Sequence, residues 1–128
     1  MEHAGVGAIA TFIGLVRDDG GLVELLLEHY PAMTEAALVA LADEAVARWS
    51  LNAVTLIHRV GALSPGDRIV FVGTAAPHRA AALEACAYLI DRLKTDAPFW
   101  KRERYTDGRT EWVEQRGADL TAAARWRD

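Results

Sequence analysis

A chain of 128 residues, 52% apolar and 25% charged, has the balance of a folded globular protein, long enough for one domain with a true core and too short for two. Its formal charge of -4 opposes a polyanionic partner, and no segregated basic face offsets it, so nucleic acid is not an expected ligand. The single cysteine, Cys86, excludes an internal disulfide and a multi-cysteine zinc site, which agrees with a reducing cytoplasm.

The opening MEHAGVGAIATFIGLV is acidic at its start, too short in its apolar run to span a bilayer and without a small-residue cleavage site, so neither membrane nor export is expected. From Gly5 to Val16 the residues are small, β-branched or aromatic and predict a strand, which Asp18-Asp19-Gly20-Gly21 ends as a turn. LVELLLEH predicts a second strand. Thr34 is a good helix cap after Tyr30-Pro31, and a helix is expected from there to Trp49, with Leu38, Leu41, Ala42 and Ala45 on one face.

AVTLIHRVG and RIVFVGTAA read as two strands joined tightly through the turn signal SPGD. Pro77-His78 opens a second helix that should run to about Lys94, with Leu83, Cys86, Ala87 and Ile90 facing inward. FWKRERY and TEWVEQR around Thr-Asp-Gly predict a hairpin, and a polar, Ala-rich tail follows. The order β-β-α-β-β-α-β-β implies an α+β fold, two helices on a mixed or antiparallel sheet, in one domain covering residues 1–128.

Two constellations in this order can carry chemistry. His78 and Arg79 sit where a strand gives way to a helix, and free backbone N–H groups and the helix dipole there favour an anion such as phosphate. Lys94 and Lys101 flank Ala97-Pro98-Phe99-Trp100; either lysine alone is explained by the carbonyls of a helix end, but bulky rigid walls between them can desolvate an amine and make it an acid, base or nucleophile. Arg17, at a strand end, could reach a ligand from the sheet side. Cys86, in mid-helix with no basic neighbour a turn away, reads as a buried small hydrophobe. His3, His29 and His58 lack metal-ligand spacing, so no metal is expected.

His78 and Lys94 at opposite ends of one straight helix lie about 24 Å apart, too far to share one small ligand. A site using both must take one end from a second copy. A homodimer is therefore expected, its pocket drawing Lys94 and Lys101 from one chain and His78 and Arg79 from the other.

The stretches TFIGLVRD, LEHYPAMTEAAL, VTLIHRVGALSPGDRIVFVG, APHRAAALEACAYLIDRLKTDAPFWKRE and EWVEQR, covering nearly the whole chain, resemble the large, catalytic subunit family of molybdopterin synthase. The resemblance implies an α/β-hammerhead-type fold and a dimer of large subunits bearing a small ubiquitin-like sulfur-carrier subunit at each end. The carrier's C-terminal Gly-Gly thiocarboxylate enters the pocket, and sulfur passes to cyclic pyranopterin monophosphate to form the molybdopterin dithiolene, with no metal or cofactor at this step. By the same likeness Lys94 and Lys101 are the catalytic lysines, and His78 and Arg79 bind the anion from the neighbouring protomer. Arg17, Arg102, Glu103 and Arg116 join the substrate-binding set, and Phe12 and Ile90 give the site its apolar lining. Relative to that family the chain starts almost directly at its GA-ATF strand and has a short loop from Arg17 to Leu22, both of which bear on partner docking. A non-catalytic dimer that holds a phosphorylated metabolite in the same basic pocket is the alternative from another class, and a purely structural subunit a third.

Overall fold

The computed structural model describes residues 4–18, 20–113, 121 and 124–126. Nine elements follow in order: β1 (Ala8–Leu15), β2 (Leu22–His29), α1 (Pro31–Trp49), β3 (Ala53–His58), β4 (Gly61–Leu63), β5 (Arg68–Ala76), α2 (Arg79–Asp96), β6 (Phe99–Tyr105) and β7 (Thr110–Trp112). The expected α+β architecture is present. Instead of one sheet there are two, β1-β5-β3 and β4-β2-β6-β7, and every described strand pair is antiparallel.

The extra strand comes from the run AVTLIHRVG. It does not continue as one strand: β3 ends at His58, Gly61 turns the chain at a φ of +90°, and β4 pairs with β2 in the other sheet. A positive φ suits glycine, which has no Cβ to clash, so a residue that looks like the end of one strand acts as the switch between two sheets. The C-terminal hairpin is present with a shorter second strand than TEWVEQR suggested, and residues 114–116 lie outside those described.

α1 starts three residues before Thr34. Pro31 takes the first helical position, where its fixed φ fits and its missing N–H costs nothing. Thr34 is instead buried in the first turn, its hydroxyl donating to the Tyr30 carbonyl at 3.2 Å and meeting His29 Nδ1 at 2.8 Å. The helix stops at Ser50, a left-handed residue with φ of 52°.

α2 lies across β1 and β5, and α1 packs on α2 and β3. The buried face of α2 is Ala82, Ala85, Cys86, Tyr88, Leu89 and Leu93. Leu83, expected inside, is 61% exposed, while Ala87 and Ile90 are half-buried. The reason is composition: alanine recurs on several faces of this helix, so its apolar periodicity points in no single direction. The face that wins sets Ala82, Ala85 and Cys86 against Ala10 and Ala76, where small residues on both sides allow a close approach, with Leu89 and Leu93 continuing the same cluster. Thr74 is fully buried there, and its hydroxyl donates to the Ala82 carbonyl at 2.7 Å, tying β5 to the first turn of α2. A second, smaller apolar cluster, Val16, Leu22, Leu25, Leu27 and Leu63, serves the other sheet.

Candidate active site

Period-two alternation along β1, β3 and β5 turns Ala10, Phe12 and Gly14, then Val54, Leu56 and His58, then Val70 and Val72, toward the helices. α2 covers most of this face but ends before covering all of it. Where the face emerges beneath the C-terminal turn of α2 and meets β2 and β6, a cleft of about 230 Å³ opens.

The register of β6 against β2 explains which side chains enter it. Leu25 is opposite Glu103 and Leu27 opposite Lys101, so Phe99, Lys101 and Glu103 share the cleft face of β6. Lys94 reaches the same cleft from the last turn of α2, and Arg17 from the loop after β1. The two lysines separated by the Pro98 turn thus converge on one space. Phe12 and Ile90 form apolar wall on the sheet and helix sides. Gly14 keeps that wall open: a Cβ at this position would meet Val70 Cγ1 at 2.5 Å and the Phe12 ring at 3.3 Å.

The remaining expected residues that the structure describes lie elsewhere. Arg102 alternates to the other face of β6, where its guanidinium lies over the Trp112 ring at 5.7 Å. His78 is the exposed N-cap of α2 with no side-chain capping bond, and Arg79 is exposed beside it, a helix length from Lys94. Arg116 lies outside the described residues. Cys86 is buried, and burial pushes its thiol pKa up, which suppresses the reactive thiolate.

Among the described residues the cleft gathers three cations, Arg17, Lys94 and Lys101, against one carboxylate, Glu103, to which the Tyr105 hydroxyl donates a hydrogen bond. That bond holds the Tyr105 pKa above the ordinary phenol value. A net positive space with apolar walls suits a small anion or an anionic chain end, because low polarity strengthens each charge.

His58 is the residue sequence reasoning passed over. Its ring stacks on Phe99 with centroids 4.1 Å apart and lines the cleft. Burial, followed by the neighbouring charges of Lys101, His29 and Lys94, lowers its pKa below 6.5 despite an opposing hydrogen bond with the Arg59 carbonyl. A signal was present in VTLIH: Val54, Leu56 and His58 fall on the same inward face, and a histidine on an apolar face needs a reason.

A family model described as MoaE protein matches residues 1–96. The catalytic subunit of molybdopterin synthase from Escherichia coli K12 is 53% identical over 94% of this chain and 81% of its own length. The chain belongs to the MoaE family. The catalytic subunit from Pseudomonas aeruginosa is 50% identical over 99% of this chain and 86% of its own. The solved MoaE protein of molybdopterin biosynthesis from Burkholderia ambifaria, also 50% identical, superposes with a TM-score of 0.80 over 94% of this chain and 80% of that one. MoaE membership places this chain's enzymatic role in molybdenum cofactor biosynthesis.

Proposed function

We propose that this MoaE chain is the sulfurtransferase subunit that moves sulfur from a carrier's C-terminal thiocarboxylate onto cyclic pyranopterin monophosphate, and that residues 1–128 act as one domain in the cytoplasm. The observation that carries the reading is the convergence of Lys94 and Lys101, from α2 and β6, on one cationic cleft. The narrow apolar walls suit an extended Gly-Gly tail, and the cations suit both its thiocarboxylate and the substrate phosphate.

In this reading Lys94 orients the thiocarboxylate or acts as acid and base at the carbon under attack. Lys101 neutralises charge that develops as the ring-opened oxygen leaves. Arg17 and Glu103 position substrate, and Phe12 and Ile90 give the site its apolar lining.

His78 and Arg79 enter through a second copy of the chain. The outer face of the β1-β5-β3 sheet supports such a dimer: Ile13, Phe71 and Ile57 form one row across its strands, and Ile9, Ile13, Leu15 and Ile57 are exposed. An apolar sheet face of this kind is characteristic of a buried contact.

The test supplies a thiocarboxylated small subunit and cyclic pyranopterin monophosphate and measures molybdopterin as its fluorescent oxidised product. Product from the wild type and its loss in Lys94→Ala are expected. Bound pterin with no turnover in the wild type would favour the metabolite-binding module instead, and in that case Lys94→Arg should be harmless because only charge would matter.

A further inference from the structure

The roles above leave His58 without a task, although it stands among the cations of the cleft. A carbonyl oxygen only accepts, so the 2.8 Å contact between His58 Nδ1 and the Arg59 carbonyl puts a proton on Nδ1. In the neutral ring Nε2 then carries a lone pair. Nε2 has no partner among the described residues, and it is not sealed from solvent, since no unpartnered side-chain nitrogen or oxygen is fully buried there. Stacking on Phe99 fixes the ring plane.

We propose that His58 is the base of the cleft, its Nε2 taking the proton of the water that releases the spent carrier. The assignment rests on the sulfur-transfer reading above. A thiocarboxylate sulfur that bonds to a substrate carbon is still bonded to the carrier's acyl carbon, so the product of attack is a thioester joining carrier and substrate. To leave sulfur behind, that acyl C–S bond must break. Water adds its oxygen to the acyl carbon, its proton passes to Nε2, and the C–S electron pair leaves on sulfur as the substrate thiolate. The carrier departs as a carboxylic acid that ionises, releasing the second proton to solvent.

The surroundings fit a base that must be unprotonated before the step. Lys101 from β6, His29 at the end of β2 and Lys94 from α2 are cationic or become so on protonation and oppose an imidazolium, with Arg17 after β1 a further cation of the cleft; the Arg59 carbonyl, by accepting from Nδ1, is the group that favours it. Glu103 is the one facing carboxylate among the described residues, and it accepts the Tyr105 hydroxyl. Substrate phosphate, the tetrahedral oxyanion and the leaving thiolate then supply the negative charge that lets the ring hold a proton during the step.

The experiment is a single-turnover reaction of thiocarboxylated carrier and cyclic pyranopterin monophosphate with wild type and His58→Gln, across pH values on both sides of 6.5, followed by mass spectrometry. The expected result is a loss of roughly a hundredfold in product formation, accumulation of the covalent carrier–substrate adduct, and disappearance of the acid-side fall in rate. Carrier affinity should be unchanged, and imidazole should restore turnover to His58→Gly. A structural role alone would lower the melting temperature and leave the pH profile in place. Wild-type rate and pH profile in His58→Gln overturn the assignment. If the variants fail to fold, nitrogen NMR of the wild-type ring decides: a proton on Nδ1 and a bare Nε2 at neutral pH support it, and the opposite tautomer overturns it. A wild type that makes no product at all removes the parent reading, and the role of His58 with it, and is told apart by the missing adduct.

Discussion

The two ends of α2 face different neighbours. Along its first three turns Ala82, Ala85, Cys86 and Leu89 press on β1 and β5, and the buried hydroxyl at that contact, Thr74, is satisfied. Near its last turn the same helix ends over a cleft walled by the same strands, and Lys94, Lys101, Arg17 and His58 stand there in place of apolar partners. One sheet face thus serves two purposes. Where a helix covers it, the side chains are small and buried and contribute stability; where the cover stops, charged groups gather along an apolar wall and can do chemistry. Stability and activity should therefore respond to different substitutions.

The strongest test of that division is Lys94→Ala. Lys94 is exposed and packs into neither apolar cluster, so removing it should leave the melting temperature nearly unchanged. Turnover should drop by roughly 10²–10⁴-fold, the usual range for loss of a positioned acid–base or charge-stabilising group. The converse is Leu89→Ala. Leu89 is fully buried, and truncating it should cost about 2–5 kcal/mol in urea unfolding while the remaining folded protein keeps its turnover per site. If Leu89→Ala instead lowered turnover per folded molecule as severely as Lys94→Ala, the two ends of the helix would not be separable.

How much of this was legible in the sequence follows the same line. Nearly every strand and both helices could be placed from alternation and turn residues, and Lys94 and Lys101 stood out because Pro98 and two aromatic residues separate them. What could not be read was the direction of the alanine-rich α2. Spacing makes Leu83 an inward residue, and only packing against Ala10 and Ala76 selects the face of Ala82, Ala85 and Cys86 instead. The division into two sheets was hidden for a similar reason: AVTLIHRVG is uniformly apolar enough to pass as one strand, and the +90° turn at Gly61 is a property of one backbone angle. His58 was legible in its alternation but not in its company, since Lys94, Lys101 and His29 come from three other elements.

A subtler separation appears with pH. Burial holds the folded His58 pKa below its ordinary value of 6.5, so the unfolded chain binds the proton more readily. The contribution of this residue is then fully favourable above about 6.5 and is lost as pH falls from there through the lowered folded value. Urea midpoints measured across that window should decline toward acid in wild type, and the His58→Gln protein should show a shallower decline. Equal slopes would mean that His58 is already as solvated in the fold as in the unfolded chain.

The smallest expected effect lies far from the cleft, at the end of α1. Ser50 ends that helix with φ of 52°, where its Cβ is crowded, and its backbone N–H bonds to the Val46 carbonyl. A glycine there would keep the bond and remove the crowding, though it would also enlarge the freedom of the unfolded chain. The left-handed penalty of about 1 kcal/mol or more exceeds the entropy term of roughly 0.5–1 kcal/mol, so Ser50→Gly should stabilise the protein by up to about 1 kcal/mol. Because α1 supplies no group to the cleft, turnover should not move. A stabilised variant with altered turnover would show that the helical layer and the cleft are coupled through α2 more tightly than their separate packing implies.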